Sequence, residues 1–140
     1  MNISVTTRSP DETRAFAGKL LERLPDRRVF ALYGALGSGK TCFVQGMADA
    51  LGIEQAVTSP TFTLIREYRS ARPLYHIDLY RLTSAQEALN IGLEEYLNGA
   101  GIAAIEWADR AEELLPAETV RVRFEALRES DGRVIRVEAG

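Results

Sequence analysis

The chain contains 140 residues with a mass of 15.5 kDa, a length that predicts a single domain spanning residues 1–140. Hydrophobic residues make up 46% of the chain, which is enough to build a core and excludes global disorder. There are 17 basic and 20 acidic residues, and the net charge is -3. Proteins that hold nucleic acid by bulk electrostatics are normally basic, so autonomous nucleic-acid binding is not expected.

The chain carries a single cysteine, Cys42, which excludes an internal disulfide and a cysteine-based zinc site. Its longest uncharged stretches fall short of the roughly 18 apolar residues that cross a bilayer. The N-terminal residues lack the apolar centre of a secretory signal. We therefore expect a cytoplasmic protein that does not span a membrane.

The N-terminal region predicts a strand followed by a capped helix. Apolar side chains alternate over residues 3–5, which indicates a short strand. Ser9 is a typical N-cap, Pro10 suits the first turn, and the Glu12 carboxylate completes a reciprocal capping box. The apolar spacing that follows predicts a helix that ends at about Leu24.

The next segments are ordered as strand, Gly-rich loop and helix. Residues 29–33 (VFALY) are wholly apolar and rich in strand formers, which is typical of a strand buried on both faces. Glycines and a lysine follow at once. Over residues 41–51 the apolar side chains recur at helical spacing, and Gly52 is a suitable helix stop.

The rest of the chain predicts strands and short helices that end in a hairpin. Strands are expected at residues 61–68, 74–79 and 101–106, helices at 84–89 and 93–98, and a terminal hairpin that pairs 119–127 with 133–139. These elements predict an α/β fold with a mostly parallel central sheet, flanking helices and a C-terminal β-hairpin.

The Gly-rich loop matches a phosphate-binding motif. Gly34, Gly39, Lys40 and Thr41 satisfy G-x-x-x-x-G-K-[ST], a pattern that chance would produce about 0.001 times in this composition. The loop lies between a buried strand and an amphipathic helix, where backbone N–H groups converge on phosphate. The alternative is a Gly-rich helix entry with a solvated lysine, which the agreement of pattern and context disfavours. We therefore predict the P-loop of a nucleoside triphosphatase.

The residues of this loop have distinct expected roles. Its glycines, including Gly37, permit backbone angles and close approach that a side chain would block. Lys40 is expected to place its ammonium against the β- and γ-phosphates, and the Thr41 hydroxyl to bind Mg²⁺. The usual guanine-reading Asn/Thr-Lys-x-Asp segment is excluded, because the only other lysine, Lys19, lies in Gly-Lys-Leu-Leu. ATP is therefore the expected nucleotide.

Two acids lie at or near the carboxyl ends of predicted strands. Glu106 ends the apolar segment IAAIE, and Asp78 lies in LYHIDLYR. Ligands gather at the carboxyl ends of parallel strands, so we assign Glu106, with Thr41, to the metal. Asp78 is assigned either to the outer sphere of the metal or to orienting the attacking water. With Lys40, these acids are the predicted catalytic residues; the alternative for each acid is a solvated strand-end carboxylate.

Four further residues have less specific interpretations. Thr61, in the segment TSPT, is a candidate sensor of the γ-phosphate, although such segments are often plain turns. His76 is interpreted as a hydrogen-bonded strand residue rather than a base. Trp107 has three open interpretations: packing beside the nucleotide, packing in the core, or serving as a surface anchor. The thiol of Cys42 is expected to be somewhat acidified in a first helical turn, but its side chain is assigned no function. The complete set of predicted nucleotide contacts is Gly34, Leu36, Gly37, Ser38, Gly39, Lys40, Thr41, Cys42, Thr61 and Trp107.

Taken together, several segments resemble the TsaE family, the small P-loop ATPases of bacterial threonylcarbamoyladenosine tRNA modification. The matching segments are LYGALGSGKT, SPTFTL, HIDLYR, GLEEYL and IEW, which occur in the family's order and spacing over nearly the whole chain. The HxDxYR pattern and the Glu-Trp pair are more specific than a P-loop alone. The chain departs from the family at Ala35, where an acid is common, and at Cys42, where a second threonine is common.

The resemblance implies an ATPase that works with two partner proteins, the threonylcarbamoyl transferase and its paralogous scaffold subunit. Transfer to tRNA occurs on the partner, so tRNA is reached only indirectly. Lys40 and Thr41 are implied to serve phosphate and magnesium, and Glu106 to serve magnesium. The residues implied at the switch or around the nucleotide are Thr61, Asp78 and Trp107.

Two other functions remain open at this point. A small-metabolite kinase would use the same loop, but it needs an acceptor pocket and a closing lid within 140 residues. A nucleotide-dependent switch would use binding rather than turnover to change its affinity for a partner.

Overall fold

One β-sheet organises the described part of the chain. The structure is a computed structural model that describes residues 1–35, 37–58, 64–127, 130 and 132–140. The strands are β1 (Asn2–Thr7), β2 (Val29–Tyr33), β3 (Ile65–Tyr68), β4 (Leu74–Asp78), β5 (Ile102–Glu106), β6 (Val120–Ala126) and β7 (Arg133–Glu138). The helices are α1 (Pro10–Arg23), α2 (Lys40–Ala50), α3 (Ala85–Asn90) and α4 (Leu93–Leu97), and a 3₁₀ segment covers Ala108–Leu114. None of these described helices combines the length and the apolar character that a membrane span requires.

The strands lie in the order β1-β7-β6-β2-β5-β4-β3. The four central strands pair in parallel, and antiparallel pairing is confined to the two edges. The predicted α/β fold, with a parallel centre and a C-terminal hairpin of β6 and β7, is confirmed. Because β2, β5 and β4 run in the same direction, their carboxyl ends meet at one edge of the sheet.

Strand β2 is apolar throughout because both of its faces are covered. Phe30 and Leu32 lie in a core cluster that contains α1 and α2 side chains, whereas Val29 and Ala31 lie in a second cluster with α3, α4 and the 3₁₀ segment. Side chains alternate between the faces of a strand, so β2 contributes to both clusters. The strand that leads into the Gly-rich loop is therefore anchored on both sides.

The predicted helix starts are found, with small differences. Ser9 Oγ accepts the Glu12 N–H at 3.1 Å, as an N-cap does. The Glu12 carboxylate accepts its hydrogen bond from the N–H of Arg8, one residue before the position that a reciprocal capping box predicts. Helix α2 begins at Lys40, one residue earlier than expected, and Gly52 takes the left-handed conformation at φ 74° after its end.

The structure differs from the sequence prediction most clearly before β3 and after β5. Strand β3 begins at Ile65, because Leu64 before it has a left-handed φ of 65° that interrupts extended backbone. Residues 61–63 of the predicted strand lie outside the described residues. The 3₁₀ segment after β5 was not predicted, and it brings Trp107 to the beginning of a turn.

Candidate functional site

The Gly-rich loop connects the carboxyl end of β2 to the N-terminus of α2 in a conformation that requires glycine. Gly34 has a φ of 152°, and a Cβ at this position would lie 2.6 Å from Ser38 Oγ and 2.9 Å from the Phe124 carbonyl oxygen. Gly39, the residue before α2, has a left-handed φ of 108°. The loop therefore folds tightly over itself and directs the beginning of α2 toward the sheet edge.

Lys40 is the first residue of α2, and its side chain is buried against the loop. The ammonium donates to the Gly34 carbonyl oxygen at 2.6 Å, and its nitrogen lies 3.7 Å from the centroid of the Trp107 ring, a cation–π contact. Burial lowers the pKa of Lys40, and the carboxylates of Glu106, Asp78 and Asp109 act in the opposite direction. A cation is thus held at the loop in a largely desolvated position.

Three side chains from three elements meet at Glu106, the last residue of β5. Thr41 Oγ1, from the first turn of α2, donates to Glu106 Oε2 at 3.1 Å. His76 Nε2, from β4, lies 2.5 Å from the same oxygen. Glu106 is 4% exposed and His76 is fully buried. The interpretation of His76 as a hydrogen-bonded strand residue is confirmed, and its partner is the predicted metal-binding acid.

Asp78 ends β4 directly beside Glu106. The two residues are Cα partners in the parallel register of β4 and β5, and Asp78 is 5% exposed. Its Oδ1 accepts the Tyr80 N–H at 2.9 Å. The two predicted acids therefore lie side by side at the carboxyl edge of the sheet, and Glu106 is the one in contact with Thr41.

The Trp107 ring covers the ammonium of Lys40. Its backbone is left-handed at φ 59°, which turns the chain sharply at the end of β5. The indole packs against the Tyr80 ring with centroids 4.9 Å apart, and Tyr80 is 43% exposed. Trp107 thus lies at the mouth of the loop, not in the interior of the core.

The loop also contains a buried hydroxyl without a partner. Ser38 is 3% exposed, and its Oγ makes no hydrogen bond to any part of the chain that the structure describes. An orphan hydroxyl in the loop that also contacts a buried ammonium suits an anion with several acceptor oxygens, such as a phosphate. The adjacent hydroxyl and carboxylate of Thr41 and Glu106 are the oxygen donors that Mg²⁺ prefers. The donor set fits a nucleotide phosphate and a divalent cation.

A cavity of about 200 Å³ lies beside the α2 N-terminus. The residues that line it come from α1 and its cap, the loop, α2 and β7: Ser9, Pro10, Thr13, Gly39, Cys42 and Arg133. The Cys42 thiol donates to the Pro10 carbonyl oxygen at 3.2 Å. The expectation of an acidified thiol is wrong, because burial raises the pKa of Cys42 and outweighs the opposing effect of Arg14.

Arg133 is a site residue that the sequence did not reveal. It lies at the start of β7, and its Nη2 donates to the Gly37 carbonyl oxygen at 3.0 Å. The contact joins residues 96 positions apart in the chain, and no local pattern marks it. Arg133 therefore fixes the loop from the hairpin side.

A second group that the sequence did not reveal holds the 3₁₀ segment. The Tyr33 hydroxyl donates to Glu112 Oε2 at 2.5 Å, and Arg121 donates to Glu112 Oε1 at 2.7 and 2.9 Å. Although burial acts to raise the pKa of Glu112, these hydrogen bonds lower it overall. The 3₁₀ segment that follows Trp107 is thus tied to the strand that precedes the loop.

Two of the predicted nucleotide contacts, Leu36 and Thr61, lie outside the described residues. The other predicted residues converge on the loop and the neighbouring strand ends. They are Gly34, Gly37, Ser38, Gly39, Lys40, Thr41, Cys42, Asp78, Glu106 and Trp107.

The family model described as "Threonylcarbamoyl adenosine biosynthesis protein TsaE" matches residues 7–135. A tRNA threonylcarbamoyladenosine biosynthesis protein TsaE from Treponema pallidum is 39% identical over 128 residues, which cover 91% of this chain and 95% of the relative. The protein of the same name from Bacillus subtilis is 44% identical over 117 residues, which cover 83% and 73% of the two chains. The crystal structure of Bacillus subtilis YdiB aligns with a TM-score of 0.81 at 36% identity, over 99% of this chain and 86% of that one.

Proposed function

The chain belongs to the TsaE family, and on this premise we propose that it binds ATP with Mg²⁺ and hydrolyses it as an accessory subunit in tRNA threonylcarbamoyladenosine biosynthesis. The observation that carries the proposal is the 3.1 Å contact between the Thr41 hydroxyl and the Glu106 carboxylate. It lies beside a buried lysine at the junction of a glycine loop and a helix N-terminus. A core packing role explains neither the buried charges nor the orphan hydroxyl of Ser38.

The triphosphate of ATP is assigned to the loop. Backbone N–H groups of the loop and the first turn of α2 face the phosphates, and the Lys40 ammonium neutralises the β- and γ-phosphates. To reach them it exchanges the Gly34 carbonyl oxygen for phosphate oxygens. The Ser38 hydroxyl gains the partner that it lacks within the described chain.

The nucleoside end is assigned to the cavity lined by Gly39, Cys42 and Arg133. In a P-loop the backbone N–H groups hold the α- and β-phosphates at the helix N-terminus, so the ribose and base continue from that point. The cavity borders the α2 N-terminus, because Gly39 directly precedes the helix and Cys42 lies in its first turn. Adenine is favoured over guanine, because the sequence lacks the usual guanine-reading motif.

Thr41 and Glu106 are the residues that would hold Mg²⁺. The Thr41 hydroxyl proton is directed at Glu106, so the lone pairs of its oxygen remain available to a cation. When bound, Mg²⁺ supplies charge neutralisation to the β- and γ-phosphate oxygens.

Hydrolysis transfers the γ-phosphoryl group to water. A bond forms between the water oxygen and the γ-phosphorus while the bond to the β–γ bridging oxygen breaks; the electron pair of the broken bond leaves on ADP, and a proton of the water passes to a phosphate oxygen, which gives ADP and inorganic phosphate. Asp78, next to Glu106 at the sheet edge, orients the water, and Lys40 stabilises the charge that develops on the phosphate oxygens. Trp107 covers Lys40 and limits water around the ammonium.

The partners in this proposal are the threonylcarbamoyl transferase subunit and its paralogous scaffold subunit, which meet the chain in the cytoplasm. Family membership supports them, and the net charge of -3 supports the view that tRNA is held by the partners and not by this chain. Turnover by the isolated chain is expected to be slow and to rise when the partners are present.

The proposal is tested by ATP binding and phosphate release in excess Mg²⁺ and in EDTA. Lys40→Met keeps a long side chain under Trp107 but removes the charge, and we expect it to abolish ATP binding. Lys19→Met is the matched control, because Lys19 is the only other lysine and is exposed on α1. Wild-type ATP affinity in Lys40→Met would overturn the assignment of the loop. Mg²⁺-dependent phosphorylation of a small metabolite without partners would favour a kinase.

A further inference from the structure

The Glu106 carboxylate is held by two donors on one oxygen. Thr41 Oγ1 lies 3.1 Å and His76 Nε2 lies 2.5 Å from Oε2. A carboxylate oxygen only accepts hydrogen bonds, so His76 Nε2 carries the hydrogen in this contact. The hydrogen bond to the histidine is the shorter of the two, and it comes from a residue that is fully buried in the sheet.

The register of the sheet directs His76 at Glu106. His76 is the Cα partner of Ala104 in the parallel pairing of β4 and β5, and Glu106 lies two residues further along β5 on the same face. Ala104 is fully buried and has only a methyl group. The imidazole therefore extends over Ala104 and reaches the carboxylate diagonally across the two strands.

The contact leaves the other ring nitrogen without a partner. His76 Nδ1 is buried and makes no hydrogen bond to the described residues. A buried polar atom without a partner costs free energy that an apolar residue of similar size would avoid. Packing alone would favour an apolar residue at this position of β4, so the contact with Glu106 is the feature that accounts for a histidine here.

We propose that His76 is a positioning residue, which holds the Glu106 carboxylate in the orientation that meets Thr41 and receives magnesium. This inference rests on the proposed function. His76 itself touches neither nucleotide nor metal. It limits rotation of the Glu106 carboxylate, as outer hydrogen bonds to metal-binding carboxylates do in other proteins.

The test compares two replacements of His76. His76→Phe keeps an aromatic ring of similar size but has no N–H, whereas His76→Gln keeps an N–H donor that can reach Glu106. Ile77→Val is the control, because Ile77 is fully buried at the next position of β4 and its side chain lies in the other core cluster. Thermal unfolding followed by circular dichroism establishes that each variant is folded, and His76→Leu replaces His76→Phe if the latter does not fold.

The readout is the Mg²⁺ concentration that half-saturates the enhancement of ATP binding, measured by calorimetry, together with ATP affinity in EDTA. We expect His76→Phe to raise this Mg²⁺ concentration about tenfold while ATP affinity in EDTA stays at the wild-type value. His76→Gln is expected to recover most of the loss, and Ile77→Val to match the wild type. This pattern separates positioning of the metal site from general loss of structure, which would weaken binding in EDTA as well.

The outcomes that contradict the inference are distinct from those that contradict the proposed function. An unchanged Mg²⁺ requirement in His76→Phe, or an equal change in His76→Phe and His76→Gln, would overturn the positioning role while leaving the wild-type titration intact. A wild-type chain that binds no ATP, or binds it without any effect of Mg²⁺, would overturn the proposed function and with it this role of His76.

Discussion

Lys40 is surrounded by groups with opposite effects on its charge. Burial lowers the pKa of the ammonium, and the carboxylates of Glu106, Asp78 and Asp109 raise it. The face of Trp107 adds a cation–π attraction at 3.7 Å. A triphosphate would bring further negative charge to the ammonium and would favour its charged form. Binding of an anion would therefore offset the free energy that burial of the Lys40 ammonium costs.

Glu106 is the residue at which the metal assignment is most directly tested. Glu106→Gln keeps the size of the side chain and an acceptor oxygen but removes the negative charge. We expect ATP binding in EDTA to be retained and Mg²⁺-dependent phosphate release to fall by more than about 100-fold, since outer hydrogen bonds of a metal site alone are worth roughly 10–100-fold. Phosphate release against Mg²⁺ concentration provides the measurement.

The control for this variant is Glu113→Gln, which removes a charge from an exposed position of the 3₁₀ segment. It is expected to behave as the wild type. If Glu106→Gln releases phosphate at the wild-type rate with the wild-type Mg²⁺ requirement, Glu106 is not a metal ligand.

At the level of elements, the sequence predicted those strands and turns that depend on local burial and backbone conformation. The wholly apolar segment Val29–Tyr33 reflects burial on both faces, and the glycines after it reflect backbone angles that other residues avoid. The 3₁₀ segment was missed because Tyr33 and Arg121, from two different strands, hold it through Glu112. Such long-range contacts leave no periodicity in the segment itself.

The candidate site likewise combines features that local sequence predicts with contacts that depend on long-range packing. Asp78 and Glu106 could be predicted to lie near the loop because ligands gather at the carboxyl ends of parallel strands. The contact of Glu106 with His76 depends on the register of β4 against β5, which the sequence pattern does not specify to the residue. The contact of Arg133 with Gly37 depends on how the terminal hairpin is placed.

Helices α1 and α2 cross at a position where only glycine fits. A Cβ on Gly46 would lie 2.3 Å from the Arg14 carbonyl oxygen, so Gly46→Ala must separate the helices. We expect a loss of about 1–3 kcal/mol in the free energy of unfolding, measured by urea denaturation. Because α2 begins with Lys40, the same variant is expected to weaken ATP binding.

Gly18 provides the matched control on the other helix of this pair. A Cβ on Gly18 would make an ordinary contact of 3.6 Å with Ala50. Gly18→Ala is therefore expected to stabilise the protein by about 0.5–1 kcal/mol through higher helix propensity. Equal stability of Gly46→Ala and the wild type would show that the close crossing does not constrain the helices.

At the scale of the whole molecule, the proposed function makes the nucleotide the expected signal between this chain and the proposed partner subunits. Tyr80 is one of the exposed large hydrophobic side chains in the described chain, and it packs on the Trp107 that covers Lys40. A conformational change at the phosphate loop can therefore reach the protein surface through the contacts of Trp107 and Tyr80. This arrangement supports a subunit whose partner binding depends on the bound nucleotide.

A pull-down with the tagged chain tests this dependence. We expect the transferase and scaffold subunits to co-purify in amounts that differ between ATP, ADP and a non-hydrolysable ATP analogue, and protein identification by mass spectrometry checks the result. Lys40→Met is expected to remove the nucleotide effect, and Lys19→Met to preserve it. Recovery of the same proteins in equal amounts under all nucleotide conditions would contradict nucleotide-controlled assembly.

The central position of β2 has a consequence for hydrogen exchange. β2 pairs in parallel with β5 on one side and β6 on the other, whereas β1 and β3 lie at the sheet edges. Amides of β2 are therefore expected to exchange only through global unfolding, and those of the edge strands through local opening. Deuterium uptake should show that ATP slows exchange in the loop after β2 while β2 itself, protected already, records only the change in global stability. This result would show that β2 already holds the phosphate loop rigidly before ATP binds.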